Sequence, residues 1–555
     1  DKSSPSQKWF KQVGKQIEGR HPEMIALSQE LFDALIYLIR EIHKEGHWDF
    51  VFISEESVQY IRALVWAATL YNDSSLNNKI EELGLISFRK LPSYGAVSVK
   101  IGNASIYAFS LLPPQEGISR LTKYKAKIKY KSVKTLIENT IRRVSEKQGK
   151  SKEELEEMAV KDFGLVDQEY QEQLGEYNAL IRFASLQKVE LLWENQKGKL
   201  QKTVPSALKA DFGAEIKALK TQVKEMQSNL SAQKNRLQSF YLKKMEMDYA
   251  RWEAFYYQHP FMSYLTRHLI WVFREGAESR HLLPRPEGMI NARGEKIDLA
   301  LKQPQVTLWH PIYSNTEEIE AWRNYFLENE IAQPFKQAFR EIYILTEAER
   351  NTETYSNRFA SHILRQHQFL ALTQQRNWEY TLMGAWDSYN TPTLQIPAWG
   401  MYAEYWLEVD HNRPNEDYVY DFLFTDQVRF YNQRGQMRMD EVPDLVLSEV
   451  MRDIDLFVGV TSIGNDPNWV DQGNARMNNY WHDYSFQDLG ESSKIRKKTL
   501  ELIIPKLKIR DICSFETNYL VVKGRFRTYK IHIGSGNILM KPNDQYLCIV
   551  ADRKK

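Results

Sequence analysis

Residues 179–204 read ALIRFASLQKVELLWENQKGKLQKTV, and the fold class follows from this stretch and its surroundings. The apolar runs ALIRFA, KVELLW and KLQKTV are separated by Gln187 and by Lys197-Gly198, and Pro205 follows the last run. Short apolar runs bounded by turn residues are typical of strands. The stretch therefore predicts a three-stranded β-meander.

A long helix is predicted directly after the meander, from 206 to about 245. Its apolar residues recur three and four positions apart and form a narrow seam: Ile216, Leu219, Val223, Met226, Leu230, Leu237 and Phe240. An aromatic-rich stretch follows within a few residues, so we expect an antiparallel helical pair. A dimeric coiled coil stays open. Because helices and strands segregate along the chain, the sequence predicts an α+β, multidomain protein.

The 555 residues exceed the ~250 to 300 residues that one hydrophobic core usually serves. We expect four domains: a helical, repeat-like domain over 1–175, the meander with its helical pair over 176–284, a mixed α/β domain over 285–435 and an α+β domain over 436–555. Periodicity predicts helices at 316–345, 355–376 and 493–503 and a hairpin that turns at Gly524. Residues 95–112 fit either a hairpin or a helix.

Composition bounds the class of protein. With 43% apolar and 12% aromatic residues the chain is expected to fold, and a net charge of +2 gives no global attraction to nucleic acid or lipid. The two cysteines, Cys513 and Cys548, indicate a reducing compartment, so we expect a cytoplasmic protein. No stretch reaches ~20 apolar residues, so no membrane span is predicted. The first residue is Asp1, which suggests an internal start.

Common catalytic signatures are absent from the sequence. It contains no G-x-x-x-x-G-K-[ST], no strand-to-helix G-x-G-x-x-G, no H-E-x-x-H and no G-x-S-x-G. These absences exclude the usual ATPase, dehydrogenase, zincin and hydrolase patterns. The sequence identifies no cofactor and predicts no metal site.

The densest polar cluster lies in 440–469, DEVPDLVLSEVMRDIDLFVGVTSIGNDPNW, where a predicted helix carries charges among apolar residues. Glu449 shares a helix face with Arg452 and Asp453, at i+3 and i+4, and Asp455 follows. A charge in an apolar run must be paired or used. The pattern fits a buried ion-paired network, which we favour, or a carboxylate pair that holds a cation.

A second cluster, IAQPFKQAFREIYIL over 331–345, places polar residues on neighbouring positions of the predicted helix. These are Gln333, Gln337, Arg340 and Glu341. The stripe is a candidate anion site through Arg340, although a solvated or paired stripe is favoured. Arg358, in NRFASHILRQHQF, is a similar candidate.

The third cluster follows His532, where Gly534-Ser535-Gly536-Asn537 suits an anion-binding nest or simply a hairpin turn, which is favoured. His532, Ser535 and Asn537 are its candidate residues. A fourth candidate is the basic segment 119–152, in which Tyr124 and Tyr130 could stack on bases. Its candidate phosphate contacts are Lys123, Lys125, Lys127, Lys129, Lys131, Arg142 and Arg143.

Four sets of ordered motifs resemble the C-terminal region of one bacterial family. They are QPFKQAFRE, NRFASHILRQHQF with RNW, SEVMRDIDLFVGV with NDPNW, and RTYKIHIGSGNILM with QYLCIV. The family is the MolR-like, WGR-associated domain of unknown function, and the resemblance spans about 150–552. It implies that relatives carry helical repeats and sometimes a WGR domain, a module associated with nucleic acid; no WGR-like stretch is visible here. It also implies partners of the MoxR-type AAA+ ATPase and von Willebrand A types.

Three functions follow as hypotheses. The first is a scaffold or regulatory subunit of a multi-protein bacterial system, because no recognised catalytic motif is present. The second is an uncharacterised enzyme that acts on a nucleotide or nucleic acid through the polar clusters. The third is nucleic-acid binding through 119–152. The second loses its basis if the clustered charges lie apart or are internally paired.

Overall fold

The computed structural model describes residues 4–546 of the chain, with gaps at 19–20, 46–52, 72, 92–94, 129, 386–389, 410–413, 416–417, 467–468, 472–490, 534–537 and 543–544. The chain divides into two compact units, Asp1–Leu165 and Val166–Lys555. The α+β class is confirmed. The finer division into four domains stays a prediction.

The first unit is helical. Its helices are α1 (Gln7–Ile17), α2 (His21–Glu45), α3 (Glu55–Ala68), α4 (Ser74–Ser87), α5 (Val99–Phe109), α6 (Pro114–Lys127), α7 (Lys131–Gln148) and α8 (Lys152–Met158), with a short hairpin of β1 (Lys90–Leu91) and β2 (Gly95–Ala96). A capping box formed by Ser151 and Glu154 opens α8. Within 95–112 the helical alternative is right, because the Ser98 hydroxyl caps the N-terminus of α5.

The second unit begins with the predicted meander. The sheet runs β3 (Glu169–Leu174), β4 (Tyr177–Ser185), β5 (Lys188–Asn195) and β6 (Leu200–Gln201), all antiparallel. Helix α9 (Gly213–Gln238) packs on it and buries most of the predicted seam, while Val223 is half-buried. Gln227 fixes this contact, since its side chain accepts from the Val189 amide at 2.9 Å and donates to the Gln187 carbonyl at 2.9 Å.

The predicted antiparallel helical pair is wrong. After α9 the chain forms only short elements: α10 (Phe240–Lys243), β7 (Glu246–Asp248), α11 (Tyr249–Trp252), a π-helical turn (Glu253–Tyr257), α12 (Met262–Thr266) and β8 (Trp271–Glu275). Lys244 adopts a left-handed conformation at φ 49°, Asp248 caps α11, and Pro260 disfavours helix at the residue before it. Several aromatic residues of this stretch, including Trp252 and Tyr256, are core residues.

Three further antiparallel sheets complete the second unit. One has the order β11-β10-β9-β8-β12-β7, a second β14-β15-β16-β13-β18 with β17 on β16, and a third β19-β20-β21-β22-β23. The strands are β9 (Glu278–Arg285), β10 (Gly288–Ile290), β11 (Lys296–Ile297), β12 (Gln305–Leu308), β13 (His362–Arg365), β14 (Thr393–Ile396), β15 (Met401–Glu408), β16 (Phe422–Asn432), β17 (Gly435–Gln436), β18 (Ser462–Asn465), β19 (Cys513–Phe515), β20 (Tyr519–Lys523), β21 (Thr528–His532), β22 (Ile538–Met540) and β23 (Gln545–Tyr546).

The helices of this region are α13 (Thr316–Glu328), α14 (Glu347–Thr352), α15 (Gln366–Gln375), α16 (Asp444–Thr461) and α17 (Glu491–Ile503). The predicted helix 316–345 is too long: α13 ends at Glu328, Glu330 has φ 53°, and Pro334 prevents helical continuation. The predicted helix 355–376 is also too long, since residues 362–365 form β13. The helix at 493–503 and the hairpin at Gly524 are confirmed. Among the described residues, no helix has the length and hydrophobicity to cross a membrane.

Candidate functional site

Helix α16 carries the first predicted cluster, and both of its faces are largely buried. Glu449, Arg452 and Asp453 are all buried, while Asp455 is half-buried. Apolar side chains of α16, such as Val450, Ile454 and Phe457, belong to the core that covers the β13–β16 sheet. The irregular segment 331–345 brings the second predicted cluster against α16, so two of the three clusters converge.

The centre of the convergence is a paired ion set. The Arg340 guanidinium donates to both carboxylate oxygens of Glu449, with Nε to Oε1 at 2.7 Å. The His310 Nε2 lies 3.2 Å from Glu449 Oε1, and the Arg340 guanidinium stacks over the Tyr241 ring at 4.5 Å. Burial would raise the pKa of Glu449, but Arg340 and His310 hold it well below its usual range. Glu449 is therefore an ionised, fully engaged carboxylate.

A second ion set extends the first along α16. Arg452 Nε donates to Glu341 Oε2 at 2.9 Å, and Lys336 pairs with the other oxygen of Glu341. Burial opposes ionisation of Glu341, but Arg452 and Lys336 lower its pKa. These contacts link α16 to the 331–345 segment at two successive turns.

Asp453 is the third buried charge of α16. The Trp378 indole N–H donates to it at 3.1 Å, and Arg376 Nε lies 3.4 Å from its other oxygen. Burial raises the pKa of Asp453, and Arg376 opposes this. Asp455 faces Tyr343, whose pKa is raised by burial and then by this carboxylate.

Gln337 and Gln333 have structural partners rather than an open site. The Gln337 amide accepts from the Ile270 N–H at 2.8 Å and donates to the carbonyls of Ile270 and Trp309 at 2.9 and 3.0 Å. Gln333 donates to Gln337 and accepts from the Ala338 amide. The prediction of a helical polar stripe is wrong here, because these residues lie in irregular backbone whose peptide groups need side-chain partners.

Arg358, the other candidate anion-binding residue, is also paired internally. Its guanidinium donates to Glu349 at 2.6 Å and to the Ile344 carbonyl at 2.9 Å. Glu349 is fully buried and also accepts from the Ser356 hydroxyl at 2.6 Å. The favoured interpretation of these clusters as an ion-paired network fits every one of these contacts.

Of the candidates in the third predicted cluster, the structure describes His532, which lies in a different sheet from the strands next to this network. His532 lies on β21 of the C-terminal sheet, where its ring packs on Tyr519 at 5.2 Å and burial lowers its pKa. Ser535 and Asn537 lie outside the described residues. The structure therefore brings the 333–341 and 448–455 segments together without His532.

The basic segment 119–152 forms α6 and α7. Tyr124 is buried and its hydroxyl bonds the carbonyls of Ile80 and Glu81, so the prediction that it stacks on bases is wrong. Lys123 pairs with Glu81, and Lys125 with Glu138 at 2.7 Å. Lys129 and the side chain of Lys131 lie outside the described residues. The remaining candidates are exposed: Lys127, Arg142 and Arg143.

Sequence reasoning missed a second set of carboxylates, on the face of β16 that carries Asp426. The Trp469 indole donates to Asp426 at 3.2 Å, and the Tyr355 hydroxyl lies 3.2 Å from both oxygens of Asp471. Burial raises the pKa of Asp426 to about 6, and the carboxylates of Glu408 and Asp471 add to this. The only sequence signal was a charged residue inside an apolar strand pattern, FLFTDQVRF.

Helix α2 carries a missed surface. Leu27, Leu31 and Leu38 are 47%, 42% and 52% exposed, and Tyr37 beside them is 66% exposed. At four- and seven-residue spacing the leucines align on one face of α2, whereas Phe32 and the residues next to it in the helical pattern face the core. We call Leu27, Leu31, Ala34 and Leu38 the α2 stripe.

Comparison with known proteins finds similarity to two domains of unknown function, each over part of the chain. Residues 198–378 match a domain of unknown function (DUF4132), and residues 493–555 match a second domain of unknown function (DUF7737). The first match contains Arg340, Glu341 and Arg358. It does not contain α16, which supplies Glu449 and Arg452 to the same network.

A curated relative is the "Uncharacterized protein YehI" of Escherichia coli (strain K12). It is 28% identical over 225 residues, which cover 38% of this chain and 18% of the relative. The chain thus aligns with less than a fifth of that protein's length. No solved structure matches.

Proposed function

We propose that the chain is a non-catalytic scaffold or regulatory subunit of a multi-protein bacterial system, and that the α2 stripe is a docking surface for a helix of a protein partner. The observation that carries the proposal is the exposure of three leucines on one face of α2. A contiguous exposed apolar surface is typical of protein contact, whereas single exposed leucines are ordinary.

The charge pattern of α2 specifies the chemistry of the partner. Between Pro22 and Ile39 the helix carries Glu23, Glu30 and Asp33 and no Lys or Arg. Glu23 and Glu30 flank the stripe, and Asp33 pairs with Lys79. A second copy of α2 would place like charges together, so we propose a helix with apolar residues on one face and Lys or Arg beside them.

The buried network supports the proposal indirectly. Three residues have the strongest sequence claim to catalysis: Glu449, Arg452 and Arg340. Inside the second unit Glu449 and Arg340 pair with each other, and Arg452 pairs with Glu341. A side chain that already holds two parts of the fold together is poorly placed to act on a substrate. The proposal also includes the resemblance to the MolR-like, WGR-associated family. Because that resemblance implies AAA+ ATPase and von Willebrand A partners, these proteins are the first to test.

The test uses the full chain and a variant with Leu31→Asp and Leu38→Asp. Recombinant AAA+ ATPase and von Willebrand A proteins of the same organism, and a synthetic Lys-flanked amphipathic peptide, are titrated in turn. We expect the two aspartates to weaken binding at least tenfold, because they place charges in an apolar contact.

Tyr60→Asp is the matched control, since Tyr60 is 69% exposed on α3 outside the stripe. It should bind as the unaltered chain does. If none of the three probes binds the unaltered chain, or if the double variant binds equally well, the docking proposal is contradicted.

An uncharacterised enzyme acting on a nucleotide or nucleic acid is the second candidate, and Asp426 is the observation that favours it. A carboxyl with a pKa of about 6 exchanges its proton near neutral pH, as general acid–base catalysis requires. Nucleic-acid binding through 119–152 ranks third. For that function, charge reversal at Lys125, Lys127 and Lys129 should abolish nucleic-acid binding and its salt dependence, and an unchanged affinity would contradict it.

A further inference from the structure

The C-terminal module, residues 491–555, is basic although the whole chain is nearly neutral. It contains 15 Lys and Arg against 6 Asp and Glu, whereas the whole chain contains 74 against 72. The rest of the chain is therefore net negative, although it includes the basic segment 119–152. Clustered Lys and Arg on one module are the electrostatic pattern of a polyanion-binding surface.

The tip of the β20–β21 hairpin presents an aromatic ring between two arginines. Lys523 pairs with Thr528 across the strands, and residues 524–527 form the turn. Phe526 is 85% exposed, and the Arg525 guanidinium lies 5.7 Å from its ring centroid. The Gly524 N–H donates to the Arg527 carbonyl at 3.0 Å, and a Cβ on Gly524 would come within 2.7 Å of the Tyr529 ring. The glycine thus permits the tight turn that projects Phe526.

A second basic segment lies at the same end of the sheet. Strand β19 pairs with β20 so that Cys513 is opposite Val522, which brings the residues before Cys513 beside Lys523 and the hairpin tip. Residues 506–512, KLKIRDI, are all exposed. They add Lys508 and Arg510 to the charges of Arg525 and Arg527.

We propose that this end of the C-terminal module binds single-stranded nucleic acid. Phe526 stacks on a base, while Arg525, Arg527, Lys508 and Arg510 contact backbone phosphates. Any base offers a π-face to an exposed ring, so this mode needs no defined sequence. Arginines on both sides of the ring fit phosphates that flank a stacked base. The surface is separate from 119–152, where the corresponding aromatic residue, Tyr124, is buried.

An anionic membrane is less favoured as the partner. Phe526 is the only apolar residue of the turn, and its insertion into lipid would carry both neighbouring guanidinium groups toward the apolar layer. The nearby aliphatic side chains, Leu507, Ile509 and Ile512, are 40–44% exposed, so more than half of each packs on the protein.

The experiment measures binding of the full chain to a fluorescently labelled 20-nucleotide oligo(dT) by anisotropy, at 50 and 200 mM salt. We expect binding that weakens at the higher salt. Phe526→Ala should weaken it at least fivefold, and Phe526→Trp should retain it, because both aromatic rings stack. Arg525→Glu with Arg527→Glu should abolish binding.

Arg434→Glu is the control for a general charge effect, since Arg434 is exposed between β16 and β17, outside every proposed binding surface. It should bind as the unaltered chain does. The inference is overturned if the unaltered chain does not bind the oligonucleotide at 50 mM salt, or if Phe526→Ala binds equally well. Binding to phosphatidylcholine–phosphatidylserine vesicles, lost in Phe526→Ala and without oligonucleotide binding, would overturn it in favour of a membrane.

Discussion

Helix α16 and the β20–β21 hairpin both combine charged with apolar side chains, but they place them in opposite environments. On α16 the charges are inside: Glu449 is engaged by Arg340 and His310, and Arg452 by Glu341. At the hairpin tip the charges of Arg525 and Arg527 are exposed together with Phe526. The same mixture of residue types therefore stabilises the fold in one region and forms an available surface in the other.

The difference shows which polar clusters are available to a partner. A buried charge is costly unless it is paired, so a charge in the core acquires partners from other segments of the chain. An exposed aromatic ring gains nothing from the fold, because its apolar surface stays in water. Available binding groups in this protein are thus more readily found among exposed apolar residues than among buried charges.

The largest expected effect comes from breaking the α16 network. Glu449→Gln removes the carboxylate that compensates the fully buried Arg340 guanidinium. We expect a loss of about 3 to 5 kcal/mol in the free energy of unfolding of the second unit. Urea denaturation followed by tryptophan fluorescence measures it.

Arg438→Gln is the matched control, because the Arg438–Asp440 pair is exposed. It should leave the denaturation midpoint unchanged. A Glu449→Gln midpoint equal to that of the unaltered chain would show that the buried pair contributes nothing.

An intermediate effect is expected at Asp426, whose carboxyl is neither fully paired nor fully exposed. Its pKa is raised to about 6 in the folded protein, so the folded state binds the proton more tightly than the unfolded state does. This contribution to stability is present at acid pH and falls as pH rises through about 4 to 6, by about 3 kcal/mol.

Asp426→Asn should remove that fall and make the protein more stable than the unaltered chain at pH 7. Denaturation midpoints at pH 4.5, 5.5 and 7 measure the difference between the two proteins. A constant difference across this range would contradict the raised pKa.

The smallest effect on stability is expected at the hairpin tip. Phe526→Ala removes a ring that is 85% exposed, so the free energy of unfolding should change by less than about 0.5 kcal/mol. A large loss of stability in this variant would show that Phe526 supports the fold. The oligonucleotide measurement would then rely on the Arg525→Glu and Arg527→Glu substitutions instead of Phe526→Ala.

Local patterns predicted much of the fold. The meander strands, α9, α16 and the Gly524 hairpin follow from periodicity and turn residues, which act over a few positions. The C-terminal end of α13 and the absence of a second long helix after α10 were missed, because Pro334 and Pro260 outweigh an apolar pattern that continues past them. A residue that terminates a helix therefore decides where the helix ends even where the apolar periodicity continues.

The candidate site was only partly predictable. Charges on α16 indicated a buried network, but Arg340 and Glu449 are 109 positions apart, and no spacing rule joins them. His310 was not recognised at all, since a single histidine near a strand carries no pattern. The exposure of Leu31, Leu38 and Phe526 was equally invisible, because composition does not reveal which apolar residues the fold leaves uncovered.

The most direct test of the account is a double-mutant cycle on Arg340 and Glu449. Arg340→Met, Glu449→Met and the double variant are compared with the unaltered chain by urea denaturation. We predict that each single variant is more destabilised than the double variant, with a coupling energy of at least about 2 kcal/mol. Additive effects of the two substitutions would contradict the conclusion that this pair is a structural element of the fold.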